Sequence, residues 1–484
     1  MNVKMIGKYL GRILTLNSLC MVPPLFIGLF LGEFESFWSF LVAIGAQMLV
    51  AILLMLVPIK DKTIYAKEGM VIVALSWIFI SLFGALPFYF SRSIPSFVDA
   101  LFETVSGFTT TGASVVANVE ILPKSILFWR SFTHWLGGMG VLVLILAIAP
   151  SHGGSGMPLH ILRAESPGPV VGKLAPKLSL TVRILYTIYV VLTLMQLVFL
   201  LCGGMPFFDA LLTSFGTAGT GGFGIKNDSM ASYSPYIQTV TASFMVLFAI
   251  NFSIYFLVLM KDWRGVLKNT ELRVFLFIVA ASTFGIAFMV QDDFGGQFPT
   301  ALRHAFFQVS SMISSSGFAT VNYEFWPELA KSIIVMLMFI GACAGSTGGG
   351  FKVSRIVILW KSIKADIKKI LHPRSVTVPT MDGKALEKTV VERCFTFLFI
   401  YVAIFAVSVL LLSIEGLDFT SNFTAVSACL NNIGPGFGEV GPASNFGGLA
   451  VFSKVVLIFD MLLGRLEIFP LLLILLPSTW RKAS

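Results

Sequence analysis

Four short stretches recur along the chain: "TTGAS" at 110–114, "TGGFG" at 220–224, "SSGFA" at 315–319 and "GPGFG" at 434–438. Their side chains are hydroxyls, methyls and an occasional aromatic, so they offer no acid, base or strong nucleophile. What they offer is backbone. Non-helical carbonyl oxygens that converge from several segments can replace the water shell of a dehydrated cation. Glycine suits such a loop because it takes φ > 0 without steric cost. The candidate oxygens belong to Thr110, Thr111, Gly112 and Ala113; Thr220, Gly221, Gly222 and Phe223; Ser315, Ser316, Gly317 and Phe318; and Gly434, Pro435, Gly436 and Phe437. Taking Gly112, Gly222, Gly317 and Gly436 as central, the spacings are 110, 95 and 119 residues. Glycines that merely let helices pack closely would account for one such stretch. They do not account for four at matched positions.

Each stretch follows a half-apolar segment of similar length: "DALFETVSGF", "DALLTSFGTA", "HAFFQVSSMI" and "FTAVSACLNN". About ten residues cannot span a bilayer as a helix, which takes about 20. These segments are predicted to be re-entrant half-helices that descend partway, with the chain returning outward through the glycine loop. Irregular backbone at that depth is tolerated only where protein buries it or water lines it. The half-helices would aim their partially negative C-terminal ends at the cavity below, which favours a cation there.

The rest of the chain has the composition to hold such loops in a membrane. It is 56% hydrophobic and 12% charged, with a mean hydropathy of +0.87. Apolar runs at 13–32, 37–58, 70–90, 125–150, 180–202, 236–260, 274–290, 331–360 (interrupted), 394–414 and 449–477 predict ten spans. Sorting the intervening loops alternately gives 26 Lys/Arg against 9 Asp/Glu on one side, and 3 against 14 on the other. All four glycine loops fall on the acidic side. By the positive-inside rule both termini are cytoplasmic. The net charge of +9 is therefore a topology signal. Its secondary use is in attracting anionic lipid or an acidic partner; a nucleic-acid surface is excluded by the lack of aromatic platforms among the basic residues. The N-terminus, basic and then apolar, is expected to be an uncleaved first span.

Charges inside spans are few. Lys124, Lys331 and Lys454 stand near outer span starts, where long side chains can snorkel, while Asp460, Arg465 and Glu467 lie deep in the last span. Arg465 either faces a cavity or pairs with an acid on another span. Arg130 and His134, at i,i+4, share a helix face, and His134 is expected to pack or hydrogen-bond rather than relay protons. The segment "GACAGSTGGGFKVSR" (341–355) interrupts the eighth run; it misses the phosphate-binding pattern, because Phe351 precedes Lys352 and Val353 follows it. It is either a kink or an unwound element. The five cysteines show no ligand spacing, and no HExxH, GxSxG or paired intramembrane aspartates suggest an enzyme.

The four loops, preceded by "TVSGFTTTGAS" and followed by "GSTGGGFK", resemble the Trk/Ktr/HKT superfamily of potassium uptake proteins, in its TrkH/TrkG branch, from about residue 70 to 480. The resemblance implies an all-α integral membrane protein: four span–pore helix–filter loop–span repeats around one pseudo-fourfold pore, plus two N-terminal transmembrane helices at 1–69. The repeats then occupy 70–150, 180–268, 269–389 and 390–484, with a cytoplasmic linker at 151–179. It implies potassium as the ion carried, Gly112 favouring it over sodium, and no covalent cofactor or other metal. It implies a gate built from Gly345, Ser346, Thr347, Gly348, Gly349 and Gly350, with Arg465 projecting beneath the filter. It further implies a homodimer in the bacterial inner membrane and a cytosolic nucleotide-binding partner of TrkA type. A coupled symporter, with proton or sodium as co-ion, is the alternative mechanism.

Overall fold

A computed structural model describes residues 1–58, 65–140, 178–374 and 377–480. The basic linker expected at 151–179 lies outside them up to residue 177. Among the described residues the regular structure is helical apart from one short hairpin, Thr380–Met381 with Lys384–Ala385.

Among the described residues six helices are long and apolar enough to cross a membrane: Val3–Phe30, Phe34–Met55, Lys67–Phe90, Leu180–Cys202, Thr270–Val290 and Lys388–Glu415. The first two are the N-terminal pair. The other four are the first spans of the four repeats. Each repeat continues with a half-helix, at Phe97–Phe108, Phe207–Gly219, Phe298–Ile313 and Phe419–Leu430, of 12, 13, 16 and 12 residues. Twelve residues rise about 18 Å, which carries the chain little more than halfway through a hydrocarbon core of about 30 Å. The starts are fixed locally: the Ser96 and Asp418 side chains accept from the backbone N–H groups of Asp99 and Ser421, and Pro206 precedes the second half-helix. Their buried faces carry small hydroxyl residues. Thr104, Ser214, Thr217 and Thr424 satisfy themselves on the carbonyl four residues back. These hydroxyls let three of the half-helices pack closely with those polar atoms paired inside their own helix.

The second spans depart from the sequence reading. Only 331–360 was expected to be interrupted, yet all four helices stop early: Lys124–Gly138, Pro235–Ala249, Glu328–Ile340 and Val451–Arg465, of 15, 15, 13 and 15 residues. In the second repeat the chain bends by 91° before resuming at Phe252–Leu259. In the fourth it turns through Glu467 and Ile468, at φ +53° and +68°. In the first, Gly140 stands at φ +78° just past the helix end. Hydropathy is blind to these breaks because freed backbone groups are paired across repeats, with other backbone or, at Gly137 and Gly138, with Arg465. Phe252 N donates to Gly345 O (3.0 Å), Cys343 N to Ala249 O (3.0 Å) and Thr347 N to Phe248 O (3.4 Å), so the second and third repeats satisfy each other's broken ladders.

Lys454 does not snorkel. Its side chain is 5% exposed and meets Asp99 at 2.6 Å, joining the last repeat to the first half-helix. Lys331 pairs with Glu328 at 2.5 Å, and Lys124 stands over the ring of Phe208 at 5.8 Å.

Candidate functional site

The four loops adopt one backbone turn. Thr110, Thr220, Ser315 and Asn432 sit at φ +57°, +55°, +61° and +55°, and two residues on Gly112, Gly222, Gly317 and Gly434 sit at +81°, +74°, +76° and +102°. The residue between them donates its N–H to the carbonyl five residues back in every repeat: Thr111 to Ser106 (2.8 Å), Gly221 to Gly216 (2.9 Å), Ser316 to Ser311 (2.8 Å) and Ile433 to Ala428 (2.8 Å). This is the helix-ending bond that accompanies a left-handed residue. It corrects the sequence register in the fourth loop, where the central glycine is Gly434 rather than Gly436. The phenylalanine of "GPGFG" suggested the wrong match, because the equivalence lies in backbone angles that "NIGP" meets with quite different side chains.

The loops close into a ring. A Cβ on Gly112 would stand 1.8 Å from Gly221 O; on Gly222, 1.7 Å from Ser316 O; on Gly317, 2.1 Å from Ile433 O; on Gly434, 2.8 Å from Thr111 O. Each glycine lies against the carbonyl of the next repeat, and the fourth returns to the first. Four carbonyls, those of Thr111, Gly221, Ser316 and Ile433, therefore each face the glycine of an adjoining repeat in one closed circle. Threonine or serine in the left-handed region is strained by about 1–3 kcal/mol. The hydroxyls of Thr220 and Ser315 offset part of this by donating to the preceding carbonyls at 2.6 Å. Above the ring a cavity of about 150 Å³ is lined by all four glycines.

The predicted aromatics prop the loops from behind. Phe223 is buried against His134, with ring centroids 4.2 Å apart, and under the Arg130 guanidinium at 3.7 Å. Phe437 packs on Tyr323 at 5.1 Å. The carbonyl of Phe318 accepts from Ser311 Oγ (2.6 Å) and Phe437 N donates to Thr424 Oγ1 (2.9 Å), so these two loop segments are held by their own half-helices. Gly436 lies beyond the ring, where a Cβ would meet Thr424 Oγ1 at 2.8 Å. Arg130 and His134 do share a face, and it is turned to the second loop. His134 Nδ1 donates to Gly107 O (2.8 Å), since a carbonyl can only accept, and Nε2 accepts from Phe223 N (3.3 Å). Both ring nitrogens are used, which fixes a neutral tautomer.

Glu103 was not singled out from the sequence. It forms a buried ion pair with Arg130 at 2.5 Å, the two side chains being 0% and 3% exposed. Its oxygens also accept from Ser114 Oγ (3.0 Å) and Val115 N (2.9 Å), while Arg130 Nη1 donates to Gly224 O (2.9 Å). The pair thus holds the outer ends of two loops, including the first, which lacks an aromatic. Its sequence signal is an acid in the interior of a half-helix that is apolar and hydroxyl beyond Asp99 in its first turn.

Immediately below the ring lies the interrupting loop, residues 341–352, between Glu328–Ile340 and Val353–Leu371. Gly349 N donates to Ser315 Oγ (2.5 Å). A Cβ on Gly348 would stand 2.7 Å from Ser314 O, and one on Gly349 2.3 Å from Asn431 O. The glycine run is what allows this backbone to touch the underside of two half-helix ends. Ser346 Oγ donates to Cys343 O (2.6 Å), Thr347 Oγ1 to Phe248 O (3.2 Å) and the Lys352 amine to Gly348 O. Glu271, unforeseen, clasps the loop at both ends, one oxygen accepting from Ala344 N (2.7 Å) and Ser354 N (3.1 Å). Gly345 and Gly350 carry the sharp turns at φ +70° and +82°.

Arg465 reaches the same place from the fourth repeat. It donates to Thr110 Oγ1 (3.2 Å), Thr347 O (2.9 Å), Gly138 O (2.8 Å) and Gly137 O. These are neutral oxygens on the first loop, the interrupting loop and the broken first-repeat helix. The nearby acids turn elsewhere: Asp460 accepts from Ser408 at 2.7 Å and Glu467 pairs with Arg355 at 2.6 Å.

Six apolar spans among the described residues and four re-entrant loops closed into one circle define an all-α, multi-pass membrane protein of four pore-helix repeats. Its particular family is equally clear. The family model "TrkH: Cation transport protein" matches residues 41–481. The chain is 39% identical over 425 residues to "Trk system potassium uptake protein TrkH" of Salmonella typhimurium, covering 86% of each chain. It is 34% identical over 495 residues to the protein of that name from Halomonas elongata, covering 100% of both. Against "Trk system potassium uptake protein TrkG" of Escherichia coli it is 34% identical over 489 residues, covering 99% of each. The crystal structure of "the Potassium Transporter TrkH from Vibrio parahaemolyticus" matches with a TM-score of 0.87 at 34% identity, covering 99% of this chain and 100% of that one. The chain belongs to the TrkH family of cation transport proteins.

Proposed function

We propose that this protein takes up potassium through a channel-like pore, selects it at the ring of loop carbonyls, and is gated by the loop at 341–352 together with Arg465. The observation that carries this reading is the closed circle of glycine-on-carbonyl contacts. Identical turns bring four oxygens into one circle, which is what replacing a hydration shell requires. The similar proteins carry potassium uptake in their names. Below the ring, the loop backbone and a guanidinium stand on the route a departing ion would take, and both are held by hydrogen bonds that a moving helix can break.

In this reading both termini face the cytoplasm, the protein sits in the inner membrane as a homodimer, and a cytosolic nucleotide-binding subunit of TrkA type acts on the basic inner loops. Removing residues 346–350 from the purified protein should raise potassium flux into liposomes without any partner. Bilayer recordings should show discrete current steps. Flux that falls in well-folded protein would make the loop a structural joint. Flux tied in fixed ratio to a second ion, without current steps, would support the coupled symporter instead.

A further inference from the structure

Three seams of the ring are tight and one is loose. The distance from the built Cβ to the facing carbonyl is 1.7–2.1 Å at the first three, and 2.8 Å where the fourth loop meets the first. The loose seam is bridged by a side chain. Asn432 Nδ2 donates to Thr111 Oγ1 at 3.0 Å and to Met461 O at 2.9 Å. The amide orientation is settled by chemistry, because a main-chain carbonyl can only accept, so the nitrogen faces Met461 O. Thr111 is itself one of the four ring residues.

The bond to Thr111 gives a relay a direction. Thr109 Oγ1 donates to Val105 O (2.7 Å), which leaves it to accept from Thr111 Oγ1 at 2.8 Å. Thr111 Oγ1 in turn accepts from Asn432. The third loop has the same hydroxyl pair, Ser314 with Ser316 at 2.8 Å, but there the pair stays within one repeat. Only at the fourth-to-first seam does a side chain of one loop hold a ring residue of the next through such a pair. The Asn432 side chain is fully buried, and its room is made by Gly464, where a Cβ would stand 2.7 Å from Asn432 Oδ1. Asparagine also tolerates the left-handed backbone of this position better than threonine does.

We infer that Asn432 is a positioning residue for ion selection: through the Thr111 hydroxyl it holds the Thr111 carbonyl in the ring at the seam where backbone packing is loosest. The inference rests on the filter reading proposed above. Without the bond, the Thr111 carbonyl relaxes and the cage fits a smaller ion nearly as well as potassium. The loss should be about three- to tenfold in potassium-over-sodium preference, the usual worth of one hydrogen bond.

The test uses the full-length protein in liposomes, with reversal potentials under mixed potassium and sodium, and thermal unfolding of each variant. Asn432→Ala and Thr111→Val should each lower the preference by that factor, and the double variant should be no worse than either single, because both cut one connection. Thr111→Val is nearly isosteric and keeps the measurement available if Asn432→Ala folds poorly. Gly222→Ser serves as the control on the ring itself. If Gly222→Ser lowers the preference while Asn432→Ala and Thr111→Val do not, the inference is overturned and the filter reading stands. If the effects of the two single variants multiply, Asn432 does not act through Thr111, which also overturns it. If Gly222→Ser changes nothing either, the filter reading falls and takes this inference with it.

Discussion

Above and below the carbonyl ring, the same four repeats behave in opposite ways. Above it they repeat one turn, with matching left-handed residues, matching helix-ending bonds and matching glycines. Below it each second span stops after 13 to 15 residues, but the chain continues differently in every described case: a 91° bend, a twelve-residue loop, or a turn carrying Glu467 and Ile468. Under the proposed function the contrast follows from the task of each level. Oxygens that share one ion must be equidistant from it, so four loops are held to one geometry. An obstruction needs no symmetry, and one loop with one arginine suffices.

The comparison can be broken first at the buried pair that holds the outer ends of two loops. Arg130→Ala strands Glu103 without its partner, and breaking such a pair costs about 3–5 kcal/mol. Thermal unfolding in detergent should shift down strongly, and Glu103→Gln combined with Arg130→Met should recover part of the loss. A small shift would mean that water reaches Glu103 and that the loops are held by their own turns.

Next is the ring. Gly222→Ser places a Cβ within 1.7 Å of Ser316 O, so the loop must move, at about 1–3 kcal/mol for overpacking and about 1–2 kcal/mol for the left-handed backbone. Potassium preference should fall by about tenfold or more. Retained preference in a folded variant would move selection to another level of the pore.

Arg465 tests the lower, asymmetric half. Two unit charges about 8 Å apart at an effective dielectric of about 20 repel by roughly 2 kcal/mol. Arg465→Ala should therefore raise flux by up to about thirtyfold, while reversal potentials stay unchanged because the ring carbonyls are untouched. Lower flux with early melting would instead make its bonds to Thr347, Gly137 and Gly138 a structural clasp.

The smallest effect sharpens the register. Gly436→Ser meets the side chains of Thr424 and Val440, outside the ring and on no carbonyl of it, and should change potassium preference by less than about twofold, an effect under about 0.5 kcal/mol typical of sites away from special features. Gly434→Ser, at φ +102° and against Thr111 O, should change it more. The reverse order would restore Gly436 as the central glycine.

Much of this molecule is legible in the chain itself. The excess of apolar residues, the segregation of Lys and Arg into alternate loops, and the four half-length segments before glycine stretches fix a membrane protein of four re-entrant repeats, because membrane insertion is decided by local composition and length. Three of the four central glycines are found in the same way, as is the interruption at 341–355. What the tertiary structure alone decided is pairing. The further span breaks are invisible to hydropathy because freed backbone finds partners far along the chain, at the second break on the third repeat's backbone and at the first on Arg465. Glu103, Glu271 and Asn432 owe their roles to partners 27, 73 and 83, and 321 residues away. The place of Gly434 rests on a φ angle and a neighbouring carbonyl, and neither is written in residue type. A local pattern can say that a loop leaves its carbonyls free; which oxygens then face one another depends on how four distant loops close into a circle.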